Sequence, residues 1–377
     1  MIHIQEFNSI PDLVHLRPAW RQLFDQTRGA SFFQSQEWLE VYWNHFGDSQ
    51  HLRLLVATQD DRAVGILPLV VRREDRRVGA VRILTYPLDD WGSYYGPIGP
   101  RPEETLQAAF EHIQRTPKTW DMLELRWVDV TGTDQGHTAR ALREAGCNSY
   151  PSVHEQTAIV QLTGTWESYQ ATRSRKWRSN YRRWEKKLRD TNVSFERVRP
   201  RGEEHDDSGA RWDIYEACES IAEISWQGSS TNGTTLTHPK VRPFFREEHE
   251  AAARRGMVDM NLMRLNGEPV AFAYNYVHDG QVYGLRTGFD PSVSTYDVGN
   301  LLFVYLIRDS FRRGDRVVNL GPGSLERKRH FTTRVDNVYQ YTHFRPTAAR
   351  AQLLRLKRVF KNWLYAPSGQ LLHAQDA

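Results

Sequence analysis

Nine basic residues and two acids share the segment TRSRKWRSNYRRWEKKLRD, residues 172–190, in a chain whose net charge is only +4. Ser174, Arg175, Lys176, Arg178 and Asn180 fall in the first turns of the helix this segment predicts. The free N–H groups and dipole at a helix start favour phosphate, and guanidinium adds two-pronged hydrogen bonding. Trp177, Tyr181, Trp184 and Leu188 are spaced 4, 3 and 4, so they form an apolar stripe that must pack. The pattern predicts a clamp for an anionic substrate, with a solvated cationic face as the plain alternative. A reader of duplex DNA would bring a module such as a helix-turn-helix or zinc finger. None is visible, so specific DNA binding is not expected.

Other chemistries are poorly represented. His205 and His238 fit no zinc spacing, and no metal is expected. No Ser-His-Asp elbow motif occurs. The two cysteines, Cys147 and Cys218, are far apart and suggest a reducing compartment. The N-terminus MIHIQEFNSIPDL lacks a basic stretch followed by an apolar run, so no signal peptide is expected. No window reaches the roughly 18 apolar residues of a membrane span. These features together predict a cytoplasmic protein, with peripheral attachment to an inner membrane as the variant. Of the 377 residues, 39% are hydrophobic and 25% charged, an ordinary balance for a globular chain of two domains.

The elements that must position these residues occur twice. Strands at 52–59, 63–71 and 80–86 precede a helix near 103–115, a strand at 121–128, a helix at 137–146 and a strand at 157–162. The second set has strands at 260–265, 269–277 and 281–289, a helix at 299–313 stopped by Gly314, and strands at 316–321 and 338–344. Asn266-Gly267 marks a hairpin in that set. Two helices precede each set. The predicted fold is therefore α/β, with two tandem units and a mixed sheet in each. We place an N-terminal unit at 1–165, the basic connecting helix at 166–195, a C-terminal unit at 196–346 and a basic helix and tail at 347–377.

This order resembles the core of the GNAT acyltransferase superfamily. Two such cores joined by a basic helix resemble the Fem-type peptidyltransferases and the related CelD-type acetyltransferases. SFFQSQEWLEVYW (31–43), VGILPLVVRR (64–73), SRKWRSNYRRWEKKL (174–188), GFDPSVSTYDVGNLLFVYLIRDSFRRG (288–314) and LGPGSLERKRHF (320–331) carry the likeness. It runs over roughly residues 20–345. Two departures stand out. Val298–Gly299 replaces the family's Pro-Gly, and Arg327 replaces the Tyr before its late Lys. Of the usual acyl-CoA loop, Tyr296-Asp297-Val298-Gly299-Asn300-Leu301 retains only the central Gly.

The resemblance implies acyl transfer from acetyl-CoA or another acyl-CoA to an amine. Splayed strands would offer a backbone N–H to the acyl oxygen, and a carboxylate or His would take the amine proton, directly or through water. Asp290, after the third strand of the second unit, is the expected base, although Asp-Pro is also a common turn. Lys328 would neutralise phosphate or developing negative charge, beside the anion-friendly turn Gly321-Pro322-Gly323. Gly299 and Asn300 would cradle the cofactor pyrophosphate at a helix start, with Arg286 beside them. In the first unit, PLDDWGSYYGPIGP (87–100) has no phosphate-binding character and would line the acceptor cleft through Asp89, Asp90, Trp91, Tyr94 and Tyr95. Trp38 resembles the family's early Trp and would contact substrate, although a helix Trp is more often core.

These features predict an N-acyltransferase acting on a small-molecule, sugar or envelope-related acceptor, such as a glycan precursor. Two alternatives stand beside it. One is a Fem-like transferase using aminoacyl-tRNA, for which the long coiled-coil arm is missing. The other is a non-catalytic scaffold for exopolysaccharide assembly at an anionic membrane surface, suggested by the degenerate loop and the cationic segment 350–365.

Overall fold

The computed structural model describes residues 2–89, 92–189, 191–230 and 235–365. The first half runs β1 (His3–Phe7), α1 (Arg17–Asp25), α2 (Gln36–Phe46), β2 (Gln50–Gln59), β3 (Arg62–Arg76), β4 (Gly79–Thr85), α3 (Pro102–Arg115), β5 (Met122–Val128), α4 (His137–Glu144) and β6 (Ser149–Gln161). Two helices follow, α5 (Trp166–Ala171) and α6 (Arg175–Leu188). The second half runs β7 (Val193–Val198), α7 (Trp212–Ile224), α8 (Arg242–Arg254), β8 (Val258–Leu265), β9 (Glu268–His278), β10 (Gln281–Phe289), α9 (Val298–Arg313), β11 (Val317–Asn319), α10 (Leu325–Lys328), β12 (Arg334–Phe344) and α11 (Ala349–Tyr365).

The mixed α/β class is as the sequence predicts, and the repeat is visible in the pairing. In each half, antiparallel strands lead into one parallel pair, β4 with β5 and β10 with β11. A helix makes each parallel crossover, α3 in the first half and α9 in the second.

The sheets are not separate, which corrects the expectation of one per half. All twelve strands form a single sheet in the order β1-β2-β3-β4-β5-β12-β6-β11-β10-β9-β8-β7. The closing strands are exchanged. β6, from the first half, pairs with β11 through Val318↔Val160, and β12 pairs with β5 through Thr342↔Glu124. β6 and β12 then pair with each other from Arg334↔Ile159 to His343↔Ser149. Local alternation sets which face a side chain takes, not which neighbour its strand chooses, so the sequence could not record this swap.

Aromatic packing joins the halves on one face of the sheet. Trp38 on α2 meets Phe244 on α8 edge-on with ring centroids 5.6 Å apart, and Phe32 meets Tyr276 at 4.9 Å. His45 pairs with Glu247 at 2.8 Å across the same seam. On the opposite face, α6 and α9 share a second core with β8–β11.

Candidate functional site

β10 and β11 pair over only three positions, Gln281↔Val317 to Tyr283↔Asn319, and then part. Glycine stands on both arms of this fork. A Cβ on Gly284 would lie 2.8 Å from the Asn319 carbonyl oxygen, and one on Gly321 (φ +75°) would lie 2.3 Å from that of Gly284. Backbone meets backbone there, so no side chain can be fitted without forcing the arms apart. A β-bulge falls at the same place. Gly284 opposes Asn275 and Arg286 opposes Tyr274, leaving Leu285 without a partner in the register.

The residues around the fork are tied to one another. Lys328 Nζ donates to the carbonyls of Gly321 (3.1 Å) and Pro322 (2.6 Å). An ammonium has three donors, so one remains. Burial lowers the Lys328 pKa to about 8. Asn319 Oδ1 accepts from the Gly321 N–H at 2.8 Å, and its Nδ2 donates to the Tyr94 hydroxyl at 2.5 Å. This chain of bonds links Lys328 to Tyr94, two residues singled out by the sequence from opposite halves of the protein.

Tyr94, Tyr283 and Asn319 also line a cavity of about 580 Å³ between the units, together with Asp129, Asp336 and Gln34. The Tyr94 ring lies 5.7 Å from Trp127 and 5.8 Å from Tyr283. Burial raises the Asp129 pKa and the nearby Asp336 carboxylate adds to the rise, while hydrogen bonds from Gly132 N–H and Thr131 hydroxyl oppose it. A carboxylate in this state is a suitable proton acceptor. Tyr283 and Asn319 are the last paired residues before the fork, so the cavity and the fork adjoin.

The first half has the same fork but fills it. β4 and β5 pair only through Ile83↔Met122 and Leu84↔Leu123. Beyond them, Tyr86, Leu88, Tyr95 and Ile98 are buried. The Tyr95 N–H donates to the Trp127 carbonyl at 3.1 Å, and Ile98 and Ile66 exchange two backbone bonds of 2.8 Å. The register of β3 with β4 runs unbroken, with no bulge. α3 opens on Pro102, Glu103 and Glu104, which repel an anion, whereas the first turn of α9 holds no acid. Asp297 stands at the cap of α9, and its side chain accepts from Trp184 Nε1 at 2.6 Å.

That bond moors one end of α6. Near its start, the Trp177 ring packs edge-on against Phe331, three residues after Lys328, at 6.3 Å. Just before the helix, Arg173 donates to the Thr332 carbonyl at 2.7 Å. The stripe of Trp177, Tyr181, Trp184 and Leu188 is buried as the spacing predicts. The basic helix thus runs from the Lys328 turn to the start of α9. Arg175 and Lys176 are exposed and Asn180 is half-buried. Arg178 is occupied locally, donating to the carbonyls of Ala171 (2.7 Å) and Arg173 (3.1 Å). A shallow groove alongside is lined by Arg178, Tyr181, Arg182, Glu185 and Arg308.

Several expected site residues lie elsewhere. Trp38 is fully buried and its indole donates to the Pro87 carbonyl at 2.9 Å, so it packs the seam and does not face a substrate. Tyr95 is 4% exposed, with its ring 4.8 Å from Tyr86. Arg286 does not join Gly299 and Asn300, because its guanidinium lies 3.8 Å over Phe245 on α8. The bulge explains this: one extra residue moves Arg286 from the α9 face to the Tyr283 face. There it faces Glu248, whose pKa burial pushes up to about 7 while Arg286 and the Tyr276 hydroxyl pull it down. Asp290 caps the turn after β10 by accepting from Ser292 N–H at 2.8 Å. Asp89 pairs with Arg72 at 2.5 Å. Gly299 and Asn300 are half-buried in the first turn of α9, where a Cβ on Gly299 would be 3.2 Å from Phe289. Asp90 and Trp91 lie outside the described residues. Sequence reasoning missed Asp129, Tyr283 and Asn319. The one available signal was position, since Asn319 ends β11 and Asp129 directly follows β5, each strand being one of a parallel pair.

Residues 175–329, from the first turn of α6 to just past α10, match the family described as Acetyltransferase (GNAT) domain. No curated protein is significantly similar in sequence. Among solved structures, FemX is similar over 94% of this chain and 99% of its own, with a TM-score of 0.61 and 10% identity. The C-terminal DUF2156 domain of an Agrobacterium fabrum protein assigned as a lysylphosphatidylglycerol synthetase gives 0.57 and 11%, over 93% and 97%. A tandem GNAT protein from the clavulanic acid biosynthesis pathway gives 0.45 and 11%, over 91% and 98%. At such identities the likeness is one of fold. Among the described residues no group could hold a metal ion, and no helix is long and apolar enough to cross a membrane.

Proposed function

We propose that this protein, an N-acyltransferase with a GNAT domain at residues 175–329 and a Fem-like tandem fold, binds an acyl-CoA in its C-terminal half and acylates an amine held between its halves. The observation that carries this reading is the inequality of the two forks. One is lined by glycine and bulged, and the other is packed with its own loop. The residues present fit the thioester end of a CoA donor through the bulge at Leu285 and the third donor of Lys328, both beside the acyl oxygen's expected place. They fit the pyrophosphate less fully, since Asp297 stands at the start of α9. The exposed Arg175 and Lys176 supply charge for the donor's phosphates.

A CoA thioester supplies an acyl carbon already activated for attack. The amine nitrogen forms the new C–N bond, the C–S bond breaks, and the thiolate leaves with the electron pair. Within this chain, the Leu285 N–H and the remaining Lys328 donor serve the oxyanion. Asp129, which lines the cavity and has a raised pKa, takes the amine proton in preference to Asp290. Tyr94 and Tyr283 wall the acceptor and fix its approach. The acceptor class, a sugar- or envelope-related amine met in the cytoplasm, is carried over from the resemblance, and the cavity volume suits a small molecule or the end of a glycan precursor.

Thermal denaturation with CoA, acetyl-CoA and charged tRNA tests the reading. CoA species should raise the Tm of the wild type, and the rise should shrink in Lys328→Met. A response to charged tRNA alone would move the donor to the aminoacyl class. No response to any donor would leave the scaffold reading standing and sink this one.

A further inference from the structure

α11 is attached to the protein through two small or apolar residues and three arginine contacts. Ala351 is buried against Phe344, Val81 and Ile83, and Leu354 packs beside it. Arg350 donates to the Ala80 carbonyl at 2.7 Å, Arg355 to the Tyr150 hydroxyl at 2.8 Å and Arg358 to the Pro151 carbonyl at 3.3 Å. The guanidiniums of Arg355 and Arg358 also lie 5.9 and 5.7 Å from the Tyr150 ring. At 100° per residue, Ala351, Leu354, Arg355 and Arg358 share one side of the helix.

The other side is apolar and faces outward. Leu353, Leu356 and Val359 are 53%, 64% and 50% exposed. A surface helix ordinarily turns such residues inward, whereas here they are exposed alongside Arg350, Arg355 and Lys357. Charge identifies what covers the stripe. Residues 349–365 contain Arg350, Arg355, Lys357, Arg358 and Lys361 and no acid. The partners of the three arginines named above are a ring, a hydroxyl and carbonyls, so those bonds leave the positive charge unneutralised. A second copy docking by this face would bring two acid-free cationic helices together. An anionic lipid surface offers the opposite charge and an apolar interior for shallow side chains.

We infer that α11 lies flat on an anionic membrane, with Leu353, Leu356 and Val359 in the headgroup–acyl boundary, and holds the protein peripherally at that surface. Flotation of the full chain with vesicles of phosphatidylglycerol and phosphatidylcholine, and with phosphatidylcholine alone, tests this. Binding should require phosphatidylglycerol and should fall at least about tenfold in the double variant Leu353→Glu/Leu356→Glu. Both side chains are more than half exposed, so circular dichroism and Tm should stay unchanged. The variant should keep its response to CoA, which separates this inference from the proposed activity. Failure to bind anionic vesicles, or binding indifferent to the substitutions, would overturn it. So would a dimer in sedimentation analysis that the same substitutions dissolve, since a second copy would then be the occupant.

Discussion

The two forks of the sheet begin alike and end differently. Each follows a short parallel pair with a helical crossover. In the C-terminal half, glycines let the two arms meet backbone to backbone, and a bulge interrupts the register there. In the N-terminal half, Tyr86, Tyr95 and Ile98 occupy the same position. The two halves of the duplicated fold thus differ at equivalent places, and the proposed function assigns the donor to one and the acceptor wall to the other. What the N-terminal half retains is a carboxylate, Asp129, at the end of the strand that enters its fork.

The largest test of this division targets that carboxylate. Asp129→Asn should lower kcat/KM by roughly 10²–10⁴-fold, the usual contribution of acid–base catalysis, with little change in donor binding. Lys328→Met should cost roughly 10²–10³-fold, as for loss of an oxyanion donor, and should also weaken the Tm response to CoA. The two groups bound the pH profile. Activity should rise as Asp129 ionises, above the ordinary carboxylate range because its pKa is raised, and fall above about pH 8 as Lys328 loses its proton. An alkaline limb that survives in Lys328→Met would refute the assignment of that limb.

Gly284→Ala forces the arms of the working fork apart, and misplacing the donor by about 1 Å should cost on the order of 100-fold. Arg175→Ala with Lys176→Ala should raise the KM for CoA several-fold without changing kcat, a binding-only effect. Arg178 is the wrong residue for that experiment, because its loss would free two carbonyls of the α5–α6 turn. The smallest effect belongs to the filled fork. Tyr95 has a buried hydroxyl without a hydrogen-bond partner among the described residues, so Tyr95→Phe should leave kcat/KM within about twofold and stability unchanged or slightly higher.

Much of this was legible in the sequence. The repeat of element order, the hairpin at Asn266-Gly267 and the buried stripe of α6 follow from local periodicity, and the structure contains each of them. Tyr94 and Lys328 were singled out for their chemistry, and the structure links them through Asn319. What stayed hidden depends on a partner or a phase. Arg286 appeared to point at the cofactor because a bulge cannot be read from alternation alone. Trp38 looked functional because an indole in a core and one in a cleft have the same letters around them. Asp129 was overlooked because the residues that follow it, Val-Thr-Gly-Thr-Asp, look like an ordinary turn.

The exchange of β6 and β12 bears on how the chain is made. A ribosome delivers the first half first, yet that half cannot finish its sheet until residues 334–344 have emerged. Meanwhile β5 presents a bare edge, the kind of template on which nascent chains misassociate. β6 must also wait, since its other neighbour, β11, comes more than 150 residues later. Neither half is therefore an independent folding body. A fragment cut to residues 175–329 would keep the fork and lose the strand that covers its flank.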